Sequence, residues 1–281
     1  LRLLASRDIE YLFGNAGTDF PPLIEAFAKA QSSGVPVPKP VLVPHENIAV
    51  GMAYGFAMVT GRMQAVMVHV GVGTANAICG LFNASRQSIP IFMTAGRTPW
   101  TEGGVNGGRN NYINWAQEMF DQAGMLREAV KWDFELKHPA HLETVVDRGI
   151  ALARSEPQGP VYLVLPREVL AQEYELACAP TTTLAPTASG HPAPGDLRCL
   201  EEFLIQAERP VLITSDAGRD INAWNALSQF AQRHAVPVVQ YRPRFASIAS
   251  SHPMNAGFDP NPYLREADLV MVVDSDVPWI P

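Results

Sequence analysis

The sequence is poor in positive charge, in cysteine and in long apolar runs. Lysine and arginine total 21 against 28 aspartates and glutamates, a formal net charge of -7. A broad nucleic-acid footprint requires a basic face, so this balance argues against one. The three cysteines, Cys79, Cys178 and Cys199, are odd in number and show no paired spacing. That usage fits a reducing, cytoplasmic setting and gives no zinc site. No stretch stays apolar over the roughly 18 to 20 residues that a membrane-spanning helix needs. Residues 47–61 carry no charge, but they are few and include glycine, so they read as a buried helix.

What is present is apolar material for a core. Of 281 residues, 47% are hydrophobic, enough for one large or two ordinary domains. The first part alternates short apolar strands with helix-length segments. "IEYLFG", "PVLVPH", "QAVMVHV", "IPIFMTAG" and "GPVYLVLP" read as strands, with "PPLIEAFAKA", "ENIAVGMAYGFAMVTG" and "AICGLFNASRQS" as helices between the first four. This rhythm predicts an α/β domain with a parallel sheet flanked by helices over residues 1–175. Residues 176–195, rich in Pro, Thr and Ala, read as a linker. Residues 196–281 read as a second, incomplete Rossmann-like α/β domain. The opening "LRLLAS" reads as part of a helix and the closing "ADLVMVVDSDVPWIP" as a strand and its loop. The chain is therefore expected to be a fragment of a longer polypeptide. Residues 97–125 break the rhythm with a glycine- and asparagine-rich segment too long for an ordinary connection, and long ordered loops are usually functional.

Three polar features stand at predicted strand ends. In "VLVPHENIAVG", Glu46 sits where an apolar strand meets a run of small residues. It reads either as a helix N-terminal acid stabilised by the dipole or as a buried acid whose desolvation favours its protonated form, able to share a proton with a bound heterocycle. The helix after it carries Ala49, Ala53 and Ala57 on one line and Gly51 and Gly55 on another, which would let a backbone or flat ligand approach. In "HVGVGTAN", a glycine turn is expected between strand and helix, with His69 at the strand's C-terminal end, where open α/β sheets bind ligands. Asn76 replaces the third glycine of a dinucleotide fingerprint, which argues against nicotinamide binding. In "GNAGTDFP", Asn15, Gly17 and Thr18 lie at the same expected edge. Plain turn chemistry explains any one of these turns. Three at one edge point to a pocket.

"YLFGNAGTDF", "HENIAVGMAYGFAMVTGR", "HVGVGTANAICGLFNA", "IPIFMTAGR" and "QGPVYLVLPREV", in this order, resemble the thiamine-diphosphate-dependent enzymes of the acetolactate synthase, pyruvate oxidase and benzoylformate decarboxylase group. The resemblance covers the first 172 residues as a pyrimidine-binding domain and continues more weakly over 196–281. It implies that Glu46 is the acid that hydrogen-bonds N1′ of the cofactor's aminopyrimidine. It further implies that Asn15, Ala16, Gly17, Thr74 and Asn76 lie near the cofactor, with Ala16 where a proline is usual. His69 matches the proton donor and acceptor of benzoylformate decarboxylase, and Thr18 a serine that contacts substrate there. Gln117, in "WAQEMF", matches a glutamine of the synthases, so the two signals are mixed. The implied activity is decarboxylation of a 2-keto acid or carboligation, benzoylformate-decarboxylase-like. The alternatives are an acetolactate-synthase-like carboligase and a non-catalytic relative. The family's G-D-G…N segment for Mg²⁺ and the diphosphate is absent from these residues, so no metal ligand is expected here and this segment alone is expected to be inactive. The resemblance implies a homodimer or homotetramer with the cofactor between subunits. "ITSDAGRD" places Ser215 and Asp216 where flavin-binding members have a glycine-rich turn, which argues against FAD.

Overall fold

The computed structural model describes residues 1–174, 184–187 and 190–281. Half of the predicted linker at 176–195 lies outside them. The chain divides into two compact units, Leu1–Ser189 and Gly190–Pro281.

In the first unit, α1 (Arg2–Ser6) and β1 (Tyr11–Gly14) precede α2 (Pro21–Ser33), β2 (Lys39–Leu42), α3 (Glu46–Thr60) and β3 (Gln64–Val68). Then come α4 (Val70–Arg86), β4 (Ile91–Arg97), α5 (Ile113–Ala116), β5 (Asp133–Glu135), α6 (Leu142–Arg154), β6 (Val161–Pro166) and α7 (Arg167–Ala171). The six strands form a wholly parallel sheet in the order β2-β1-β3-β4-β6-β5. Strands β3 and β6 are buried at every residue, as expected where helices cover both faces. One core cluster joins Leu12, Met67, Phe92 and Leu163 of the sheet to Leu3, Val146 and Ile150 of the helices. The chain leaves β1 toward β2 on one side and β3 on the other. Their C-terminal ends therefore border a topological switch point, the usual place for a ligand in an open α/β sheet.

Local signals account for the boundaries. Pro21 and Pro22 begin α2, and Gly34 ends it at φ 65°; Gly61 ends α3 at φ 69°. A left-handed residue at that position accepts glycine without a Cβ penalty. The two small-residue lines on α3 have different fates. Ala49, Ala53 and Ala57 are buried against the domain, whereas a Cβ on Gly51 or Gly55 would meet nothing within 4 Å.

One expectation is corrected and one strand is added. "GVGTAN" is no turn: Val70 to Asn76 form the first turns of α4, and the Gly73 amide bonds the His69 carbonyl at 2.7 Å. "VKWDFEL" supplies an edge strand, β5, that the apolar pattern missed because it is three residues long and half-exposed. The long segment after β4 is tied down by α7. Thr101 donates through its amide and hydroxyl to Glu168 Oε1 at 2.8 and 2.6 Å, and Asn106 bonds the Ala171 carbonyl at 2.9 Å.

The second unit contains α8 (Pro194–Gln206), β7 (Pro210–Thr214), α9 (Ile221–His234), β8 (Val238–Gln240), α10 (Asn261–Leu264) and β9 (Leu269–Val273). Its sheet is parallel in the order β8-β7-β9. Asp220 caps α9, accepting from the Asn222 and Ala223 amides at 2.9 Å. The "SDAGRD" turn after β7 is filled by its own groups: Asp216 accepts from Arg244 Nε at 2.7 Å, and Ser215 donates to the Tyr241 carbonyl at 2.8 Å.

Candidate active site

The loop after β1 turns sharply over the end of β3. Asp19 is 1% exposed, and its Oδ1 lies 2.6 Å from His69 Nδ1. Its Oδ2 accepts from the Val70 amide at 3.3 Å. Two glycines make the room: a Cβ on Gly17 would overlap the His69 ring, and one on Gly96 would overlap the Asp19 carboxylate. Val70, at φ 33°, holds a backbone conformation that a β-branched residue rarely adopts. That strain sits at the residue linking His69 to α4. Burial of the imidazole works against its charge. The hydrogen bond and charge of Asp19 oppose this, aided by a hydrogen bond to Gln117 and the charge of Glu46, and the net result is a raised His69 pKa. His69 therefore keeps its proton to higher pH than an ordinary histidine, near 6.5. The sign for stability follows: the pair's contribution is full below the unfolded value and fades as pH rises through the folded one.

Glu46 occupies the first position of α3. His45 is the N-cap, its Nδ1 accepting from the Asn47 amide at 3.1 Å. Glu46 is 6% exposed, and its Oε2 accepts from Asn76 Nδ2 on α4 at 3.0 Å. No hydrogen bond among the described residues reaches Oε1. A Cβ on Gly73 would come within 3.3 Å of that oxygen, so the glycine keeps the space beside it clear. An acid in the first turn also meets the positive end of the helix dipole. One carboxylate oxygen is thus fixed and the other is left for a partner.

Behind α4 lies a third group. Tyr162 of β6 shares a 2.7 Å hydrogen bond with Thr74 Oγ1 and accepts from Gln122 Nε2 at 2.8 Å. Thr74 also donates to the Val70 carbonyl at 2.7 Å, and Gln122 to that of Gly96 at 2.8 Å. Burial pushes the phenol up to about 12, although Thr74 and Gln122 pull the other way, so it stays neutral. Tyr162→Phe is expected to cost roughly 1 kcal/mol, because each partner keeps a second bond. The shift in thermal midpoint against wild type measures it.

The structure brings together Glu46 with Asn76, and His69 with Gly17 and Gln117. Thr74 is fully buried, its hydroxyl engaged with Val70 and Tyr162. Asn15 is half-buried, and Ala16 and Thr18 are exposed. Sequence reasoning missed Asp19, Tyr162 and Gln122. Only Asp19 carried a signal, an acid one residue beyond the polar turn already singled out. Among the described residues no group of three or more His, Cys, Asp or Glu could hold a metal ion, and no helix is long and apolar enough to cross a membrane.

The domain is a parallel α/β fold that carries an acid and an imidazole beyond the C-terminal ends of its strands, where open α/β sheets bind ligands. Residues 1–125 match the family described as thiamine pyrophosphate enzyme, N-terminal TPP binding domain. The chain is 25% identical over 281 residues to the acetolactate synthase large subunit of Haemophilus influenzae, covering 95% of this chain and 46% of that protein. It is 28% identical over 224 residues to the benzoylformate decarboxylase of Pseudomonas aeruginosa, covering 80% and 39%. The thiamine diphosphate-dependent 4-hydroxybenzoylformate decarboxylase of Rhodococcus jostii RHA1 shares the fold, with a TM-score of 0.76 at 24% identity over 99% of this chain and 52% of that one. By these likenesses the chain resembles the thiamine pyrophosphate-dependent enzymes, with the family model falling on its first 125 residues. It spans about half the length of the curated relatives it matches.

Proposed function

We propose that the chain is the pyrimidine-binding part of a thiamine-diphosphate-dependent lyase or transferase that decarboxylates a 2-keto acid or joins the product to a second carbonyl. The observation that carries this reading is Glu46: a buried carboxylate with one oxygen held by Asn76 and the other left beside Gly73. That free oxygen suits the ring nitrogen of an aminopyrimidine. When bound, the thiamine ring supplies the electron sink that decarboxylation of a 2-keto acid requires. Glu46 shares a proton at Oε1, and Asn76 keeps the carboxylate aimed. Gly17, beside His69, allows close approach, with Asn15 and Ala16 on the same turn. Thr74 supports the first turn of α4 from behind through Tyr162. His69 exchanges a proton with substrate, and Thr18 and Gln117 complete the substrate side. Mg²⁺ and the diphosphate belong to a further domain, and the enzyme works as a cytoplasmic homodimer or homotetramer. The open Gly51 and Gly55 face of α3, the helix that begins with Glu46, supports a second subunit there. No flavin is part of this reading, because Arg244 engages Asp216 in the turn after β7.

His69 favours a decarboxylase of the benzoylformate type. Gln117, which acts on His69, favours the acetolactate-synthase-like alternative. Product analysis of the intact polypeptide, with thiamine diphosphate and Mg²⁺ supplied, separates them. Benzaldehyde from benzoylformate is the expected result; acetolactate from pyruvate supports the carboligase. No turnover and no calorimetric cofactor binding would instead identify a non-catalytic relative.

A further inference from the structure

His69 is aimed by a group that the proposed chemistry does not use. Asp19 is almost wholly buried, and its two oxygens go to the His69 ring and the Val70 amide. The clearance for this arrangement comes from Gly17 on one side and Gly96 on the other. An imidazole whose Nδ1 faces a carboxylate carries its neutral-state proton on Nδ1, which leaves Nε2 as the nitrogen that gains and loses protons. A carboxylate that served only to cap α4 would need the Val70 amide alone. Here the ring holds the shorter contact.

We propose that Asp19 is the positioning residue for His69: it fixes the imidazole as the Nδ1-protonated tautomer and presents Nε2 as its proton-exchanging atom. This rests on the reading of His69 as the proton-handling residue at the substrate side. Ring and carboxylate are coupled in charge as well as geometry. The charged or titratable groups acting on His69 are Asp19 from the loop after β1 and Glu46 from α3. Gln117, from the long segment, is neutral, and Tyr162 stands behind α4 as an uncharged phenol. Both acids favour the imidazolium, and Asp19 contributes more. Replacing Asp19 by Asn therefore moves the His69 titration toward acid. It also removes the tautomer preference, because an amide can donate to Nδ1 as readily as accept from it.

The test is a nitrogen-15 NMR titration of the seven histidines in the full chain, with His69→Gln identifying the signals of interest. In wild type, His69 is expected to show a protonated Nδ1 in its neutral form and a midpoint above the ordinary value. In Asp19→Asn the midpoint is expected to fall and the preference to disappear. In the holoenzyme kcat is expected to fall at least about tenfold, and by no more than the 10²–10⁴ that a positioned acid–base group supplies. KM should move much less, and the His69-dependent limb of the pH profile should shift to lower pH. A wild-type His69 protonated on Nε2 overturns the proposal without any variant, so a failure of Asp19→Asn to fold does not shield it. A variant whose His69 titrates as wild type overturns it too. Absence of turnover in wild type would sink the enzymatic reading alone, because the nitrogen shifts are read without substrate or cofactor.

Discussion

Glu46→Gln is expected to lower turnover of a 2-keto acid by about 10²–10⁴-fold while leaving the fold intact. The substitution keeps the side-chain shape and an oxygen to accept the 3.0 Å hydrogen bond from Asn76. It places an amide where the free carboxylate oxygen stands beside Gly73. An amide cannot share a proton in both directions, so a contact survives and a proton path is lost. The stability change should be small. The favourable dipole interaction lost at the first turn of α3 is worth about 0.3–1 kcal/mol, and a buried charge is removed with it. The measurement is kcat at saturating thiamine diphosphate and Mg²⁺, beside the thermal midpoint of both proteins. Unchanged turnover in a folded variant would overturn the role assigned to Glu46.

The largest effect on stability belongs to a residue far from any chemistry. Arg7 is 2% exposed and donates through Nε to Asp147 Oδ1 at 2.7 Å and through Nη2 to Asp147 Oδ2 at 3.0 Å. The same Nη2 reaches Glu143 Oε1 at 3.0 Å. The hydrogen bonds to Asp147 outweigh burial and hold the guanidinium firmly charged. Arg7→Met leaves the buried Asp147 uncompensated, and breaking such a pair costs about 3–5 kcal/mol. Replacing both Arg7 and Asp147 with apolar residues of similar volume should recover most of that loss, because the second charge no longer needs a partner. Urea midpoints of the single and double variants test the pair. If the single variant lost less than about 1 kcal/mol, the contact would rank with exposed surface pairs.

The parallel sheet was legible because its strands are short, apolar and separated by helix-length segments, and Gly34 and Gly61 mark where α2 and α3 stop. The start of α4 was not legible. Gly71 and Gly73 suggest a turn by composition, yet both lie in the helix. They are small because of their neighbours: Met119 crowds the first, and Val68 and Glu46 the second. Clearance and turn formation select the same residue type, and only the fold separates them. The setting of Glu46 could be read from its apolar surroundings, and His45 resolved into an N-cap once α3 was placed. Asp19 with His69, fifty residues apart, and Thr74 with Tyr162, eighty-eight apart, became visible only when the sheet order brought their strands together.

Val70 is where these strands of structure meet. Its amide and the neighbouring imidazole are both bound by the carboxylate of Asp19, and its strained backbone joins them. The charge on the ring and the hold on the helix start are therefore coupled through one carboxylate. A ligand that takes up the proton of His69 is then expected to change the hold on the start of α4, and one that shifts α4 to change how tightly that proton is held.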